Sequence, residues 1–157
     1  MNFKLSLIGF KIEMARPKIF IGVDPGSTCG IATLQAGSRN PNVYQFKSNI
    51  EAMFFVIELA NDWDVELTIE DARLAIKTAY HARTQTKAKD QGVGYVKAYS
   101  KEWEAFCQLR RYPHRMVTPN YRITKTSPEY FEQLTGIKTL KGEHHMRDAA
   151  MLIIGKR

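Results

Sequence analysis

The stretch Ile19-Phe20-Ile21-Gly22-Val23-Asp24-Pro25-Gly26-Ser27-Thr28-Cys29-Gly30-Ile31-Ala32-Thr33-Leu34 constrains what this chain can fold into more than any other. A run of β-forming residues ends in an acid, breaks at Pro25-Gly26 and resumes as a second apolar run after Gly30. That order predicts a buried strand, a tight turn and an antiparallel return strand. Asp24 stands where the first strand stops. With glycines around it and little side-chain bulk, its carboxylate could face a metal ion or a phosphate. Asp, Pro and Gly are equally the residues of an ordinary turn. The choice depends on whether other acids gather at the same strand end.

The rest of the chain supplies a scaffold around that hairpin. The cluster Ala36-Gly37-Ser38-Arg39-Asn40-Pro41-Asn42 is a turn, and Val43 to Lys47 reads as a third strand. Ser48 or Asn49 caps a helix from about Ile50 to Asn61, with Ile50, Met53, Phe54, Ile57 and Leu59 as its apolar face. Val65 to Glu70 alternates as a fourth strand and also ends in acid, at Glu70-Asp71. Gly92-Val93-Gly94 opens a helix to about Leu109, in which Val96, Tyr99, Trp103 and Phe106 form one stripe, either core or in part a dimer face. Arg115 to Thr118 is a short fifth strand closed by Pro119. Ser127-Pro128-Glu129 opens a helix through Leu134, and Glu143 to Ile154 is the last helix. This order implies an α/β fold, a mixed five-stranded sheet with helices on both faces.

One domain, residues 18–157, accounts for the whole pattern. Residues 1–17 are set aside as an N-terminal extension, disordered in expectation, and Met14, just before Ala15-Arg16-Pro17-Lys18, is a candidate natural start. The apolar run Leu5 to Phe10 is too brief for a signal peptide and lacks a small-residue cleavage site. No window approaches a membrane span. At 157 residues the chain can bury a core without disulfide or metal staples. Cys29 and Cys107 are far apart and lack zinc-ligand spacing, which fits buried thiols in a reducing, cytoplasmic compartment. The net charge of +7 points to a polyanionic partner, nucleic acid ahead of membrane, because no basic amphipathic anchor stands out.

Four candidate metal ligands lie far apart along the chain, each where it could reach a common point. Asp24 ends the first strand and Glu70 the fourth, and adjacent central strands sit about 5 Å apart. Asp148 is on the final helix with His145 three residues before it, on one helical face; His144, four before, shares roughly that face. Clustered carboxylates repel one another and are costly to bury unless a divalent cation neutralises them. Oxygen ligands select Mg²⁺ or Mn²⁺, and two such ions about 4 Å apart can drive phosphodiester hydrolysis. Competing motifs are absent: no phosphate loop ends in Gly-Lys-Ser/Thr, and Ser27 lacks a nucleophile-elbow setting. An actin-like ATPase shares the Asp-x-Gly opening, but the chain is too short for two lobes and has no second acidic-glycine motif.

Asp24-Pro25-Gly26-Ser27 with Gly30, then Ile69-Glu70, then His145-Met146-Arg147-Asp148-Ala149-Ala150, resembles the RuvC-type Holliday-junction resolvases, especially the divergent set of phages and prophages. The resemblance runs from about Lys18 to the C-terminus and rests on three short motifs in order. It implies an RNase H-like fold, a homodimer, and Mg²⁺-dependent sites, two ions each, that nick opposed strands of a four-way junction, in a bacterial cell or phage-infected host. Asp24, Glu70 and Asp148 would then be metal ligands, and His145 would take a position where some members have Asp and others His. Lys125 lies where the family often supplies a basic residue near the scissile phosphate. The middle, Ala72 to Gly94, departs from the cellular members, and neither their dimer helix nor a junction-wedging aromatic aligns there.

Two acid-free basic stretches are candidate phosphate trackers. The first, Arg73 to Lys89, carries Arg73, Lys77, Arg83, Lys87 and Lys89 and reads as a mobile cationic surface segment. The second, Arg110 to Lys125, carries Arg115, Arg122 and Lys125 with Tyr112 and Tyr121 interleaved; Lys97 joins the set from the helix between. Solvated charged loops give the same pattern. Three functions therefore remain: a resolvase of four-way junctions, a nuclease for other branched DNA or RNA–DNA hybrids, and a non-catalytic nucleic-acid-binding module.

Overall fold

The computed structural model describes residues 15–75, 87–119 and 125–156. Strands β1 (Lys18–Asp24), β2 (Cys29–Gln35) and β3 (Asn42–Phe46) form an antiparallel meander, followed by helix α1 (Asn49–Asp62) and strand β4 (Asp64–Glu70). A 3₁₀ turn (Ala72–Leu74), helix α2 (Lys87–Arg110), strand β5 (His114–Val117), and helices α3 (Pro128–Thr135) and α4 (His144–Met151) complete it. The sheet order is β3-β2-β1-β4-β5, with β1 parallel to β4 and β4 parallel to β5. The expected mixed five-stranded sheet with helices on both faces is the observed one. Among the described residues no helix is long and apolar enough to cross a membrane.

Strand parity sorts the core into two layers. Ile19, Ile21 and Val23 of β1 and Val65, Leu67 and Ile69 of β4 pack against Ala52 and Val56 of α1 and Trp103 and Cys107 of α2. Phe20 of β1 and Ala32 and Leu34 of β2 pack on the other side against Phe131 of α3 and Ala149, Ala150 and Ile153 of the α4 segment. Phe131 and Ile153 are fully buried, each contributing about 2–3 kcal/mol of transfer free energy. Side chains alternate across a strand, so Asp24 and Glu70 point to the α4 side.

α4 lies directly on the sheet because two glycines leave room for it. A Cβ on Gly22 would sit 2.0 Å from the Ala149 carbonyl oxygen, and one on Gly30 would sit 2.0 Å from that of His145. The two contacts are four residues apart on the helix, a rise of about 6 Å, and Gly22 is two residues from Asp24, the partner of Gly30, about 6.6 Å along β1. The matching repeats let helix backbone and strand run alongside each other.

Several local expectations are corrected. α1 is capped by Ser48, whose hydroxyl accepts from Glu51 N at 3.2 Å, but Ile50 and Phe54 are exposed. The buried face is Asn49, Ala52 and Val56, because Asn49 is fastened inward: its Oδ1 accepts from Trp103 Nε1 at 3.0 Å and Gly26 N at 3.4 Å. α2 begins at Lys87 and contains Gly92 and Gly94, whose helix penalty of about 1 kcal/mol each is outweighed by good helix formers and a docked C-terminal half. Its stripe is core at Trp103 and Phe106, joined by Ser100 and Cys107, whereas Val96 is exposed. α4 stops at Met151, and the chain turns on to Gly155 at φ 86°. Residues 76–86, within the segment expected to be mobile, and residues 1–14 of the expected extension lie outside the described residues. Pro17 O accepts from Asp64 N at 2.9 Å.

Gly30→Ala is expected to lower stability by about 2–4 kcal/mol, because His145 backbone must move to admit a methyl group. Urea unfolding followed by circular dichroism checks this, and an unchanged midpoint would contradict the close packing of α4.

Candidate active site

Three segments remote in sequence meet at one end of the sheet. The parallel register pairs Val23 with Ile69, so Asp24 and Glu70 follow side by side where β1 and β4 end. Asp24 is paired across β2 with Gly30, the residue against which the His145 backbone rests. The imidazole is thereby delivered to the acid, and His145 Nδ1 donates to Asp24 Oδ2 at 2.7 Å. Asp148, on the same helical face, is almost fully buried, and Lys125 Nζ donates to its Oδ2 at 2.8 Å. His145, and not His144, is the histidine in contact with Asp24. His144 is the more exposed ring and stacks on His145 at a centroid distance of 4.1 Å.

The electrostatics are those of acids crowded together. Burial, reinforced by the charges of Asp24 and Asp148 and opposed by Lys125 and His145, pushes the Glu70 carboxyl up to about 7. Burial likewise raises Asp148 above the usual carboxylate range despite its bond to Lys125. Burial works against the Lys125 charge, but Asp148, Asp24 and Glu70 together hold the ammonium above the ordinary lysine value. Burial and the neighbouring His145 lower His144.

Glu70 Oε2 and Asp148 Oδ1 are buried and have no hydrogen-bond partner among the described residues. Two buried carboxylate oxygens with free lone pairs, beside a third acid and an imidazole, suit a hard divalent cation. As the side chains stand, no group of three His, Cys, Asp or Glu among the described residues converges closely enough to hold one. His145 and Lys125 engage two of the three acids.

A supporting shell holds the end of β4. Ser100 Oγ accepts from Ala72 N at 3.3 Å and lies 3.4 Å from Glu70 O. Buried Asp71 takes the Arg73 guanidinium on both oxygens, at 2.9 and 2.7 Å, and Arg73 also reaches Glu104 at 2.7 Å. Arg73 outweighs the burial and keeps the Asp71 carboxyl below its ordinary value. Of the expected phosphate trackers, Arg73 is thus engaged by two carboxylates, which sets it apart from a cation presented to solvent. Lys97 is half-buried on α2, Arg115 is exposed on β5, and Lys125 stands in the acid cluster. Lys87 and Lys89 fall in the first turn of α2, and Lys77, Arg83 and Arg122 lie outside the described residues. The sequence places Asn49 as a possible helix cap and Asp71 at the acidic strand end, but not in the supporting roles they take here. The available signals were an Asn directly after a helix cap and a second acid after the strand-ending one.

No protein-family model and no curated relative matches this sequence. Among solved structures the chain is similar to RuvC of T. thermophilus in complex with a Holliday junction substrate. The TM-score is 0.54 and the identity 12%, over 87% of this chain and 91% of that one. The architecture is therefore the RuvC, or RNase H-like, fold.

Glu70 also makes stability depend on pH. Its carboxyl titrates near 4.5 when free and about 7 when folded, so the folded state binds the proton more tightly. Stability falls as pH rises through that window and the penalty is complete above it. In metal-free buffer, Glu70→Gln is expected to raise stability by about 1–3 kcal/mol at pH 8 and by nothing at pH 4. Thermal melts at the two values check it, and an equal gain at both would remove the charge explanation.

Proposed function

We propose that the chain is a divalent-metal-dependent nuclease that cuts branched DNA, with four-way junctions as its substrate, through paired nicks by a homodimer. The observation that carries this reading is the meeting of Asp24, Glu70 and Asp148 with His145 and Lys125 at one sheet end, in a chain of net charge +7. Cations are needed to hold the phosphodiester backbone and acids to hold metal against it. The 12%-identical RuvC neighbour, itself solved with a Holliday junction, adds support through its fold.

Asp24, Glu70, Asp148 and His145 are the groups that would hold Mg²⁺ or Mn²⁺, two ions per site. Such ions, when bound, supply the Lewis acidity that activates a water and steadies the leaving 3′ oxygen. The protein's own groups do the rest. His145 holds the Asp24 carboxylate in one orientation through Nδ1. Lys125 balances Asp148 in the absence of substrate, and the same ammonium would meet the non-bridging oxygens of a phosphate brought to the acids. Burial of Glu70 and Asp148 keeps water competition low and strengthens each of these contacts. Selection of a junction would follow from shape and deformability, since nothing in the cluster reads base edges.

Incubation of the protein with a labelled four-way junction, a fork and an RNA–DNA hybrid, with and without Mg²⁺, tests substrate and metal together. Symmetrical paired nicks on the junction alone are expected. Asp24→Asn, Glu70→Gln and Asp148→Asn should each reduce cutting by a factor of 10² or more, on the order seen for loss of a metal ligand or its support, and leave junction binding equal or tighter. His145→Ala should cost more activity than His144→Ala, and the reverse order would transfer the role. Wild-type binding without cleavage under any divalent ion would favour a non-catalytic binding module instead.

A further inference from the structure

The α4 side of the sheet has a second polar end. A cavity of about 500 Å³ opens there between Lys18 and Phe20 of β1, Glu66 of β4, His114 and Arg115 of β5, and Lys156. We infer that this cavity is a second phosphate-binding site, one that grips the backbone of a DNA arm whose other end lies at the carboxylate cluster. The identity of the ligand as DNA rests on the nuclease reading; the site itself does not overlap the acids.

Charge and preorganisation carry the inference. Among the described residues Glu66 is the sole acid lining the cavity, and it faces two lysines, Lys18 on one oxygen at 2.7 Å and Lys156 on the other at 3.1 Å. With Arg115, exposed on β5, three cations line the cavity around one carboxylate; Asp64, the cross-strand partner of Lys18, lies outside the lining and offsets part of that charge. Both ammoniums also stand over the Phe20 ring, 5.5 and 5.2 Å from its centroid, so their long side chains are already ordered before a ligand arrives. Phe20 is 5% exposed and offers no face for a base to stack on. The rim presents N–H donors, which suit phosphate oxygens. Exposed lysine–glutamate pairs contribute little stability, and one lysine would balance Glu66, so stability alone does not account for the second.

The position suits the same ligand. Phe20 and Glu66 share strand parity with Asp24 and Glu70, hence the same side of the sheet. Glu66 and Glu70 are about 13 Å apart along β4, the axial length of about four base pairs of duplex. Thr68 between them is buried, so an arm that reaches both ends passes over the elements covering the sheet.

Fluorescence anisotropy with a labelled four-way junction in metal-free buffer, repeated over a salt series, tests this. Arg115→Gln and Lys156→Gln should each weaken binding about three- to tenfold and make the log–log salt slope shallower by about one, beyond the effect of the charge-matched Arg39→Gln on the β2–β3 turn. Glu66→Gln releases two ammoniums and should tighten binding about threefold relative to the charge-matched Glu58→Gln, even as it lowers the melting temperature. A merely structural triad would lower the melting temperature and leave affinity at the control value. Wild-type cutting scores the nuclease reading separately. Cutting with Arg115→Gln indistinguishable from Arg39→Gln overturns the cavity alone, and altered salt slopes without any cutting support the cavity and sink the nuclease. A wild-type protein that binds no DNA overturns both.

Discussion

The seating of the α4 backbone on Gly22 and Gly30 is the contact on which the remainder of the structure depends. A side chain at either position would meet helix backbone at 2.0 Å and force the helix away from the sheet, and His145 and Asp148 would move with it. Because Gly30 is also the cross-strand partner of Asp24, the same missing side chain that admits the helix delivers an imidazole to the acid. Packing and chemistry share one residue. This explains how a carboxylate at a strand end and a histidine 121 positions later come within 2.7 Å.

The acids gathered there work against folding. Buried carboxylates that face each other favour the protonated form, and the protein offsets this with two groups brought from elsewhere, the His145 imidazole and the Lys125 ammonium. The balance is incomplete, since Glu70 Oε2 and Asp148 Oδ1 have no partner among the described residues. Strain of this kind persists only where a rigid surround holds it in place. Ser100, Asp71 and Arg73 supply that surround on the β4 side, and Asn49 with Trp103 supplies it at the turn after Asp24.

The α4 side of the sheet is therefore polar at both ends with opposite bias, acidic where β1 and β4 finish and basic where they begin. Its middle is apolar against α3 and α4, with Phe131 and Ile153 fully buried. The opposite side carries α1 and α2 over an apolar layer, with Asp71, Arg73 and Glu104 paired at the end of β4. Segregation by strand parity produces this asymmetry. Residues of even number on β1 and β4 are the ones whose chemistry varies, and those of odd number are uniformly apolar.

Much of this architecture was legible in the amino-acid order, because strands, turns and caps are local. The hairpin at Pro25-Gly26, the alternation of Val65 to Glu70, the Ser48 and Ser127 caps and the acids at two strand ends each follow from neighbours a few residues apart. What local order could not supply was which face of α1 turns inward, since Ile50 and Phe54 are as apolar as Val56. That was decided by Trp103, 54 residues away, drawing Asn49 into the core. Nor could it supply the pairing of Arg73 with Asp71 and Glu104, or the meeting of Lys18, Glu66 and Lys156, because an ion pair depends on three-dimensional distance and desolvation. Composition and periodicity determined the elements; only the tertiary structure decided which charges would neutralise one another, since Coulomb energy and burial are set by separations that the chain order does not contain.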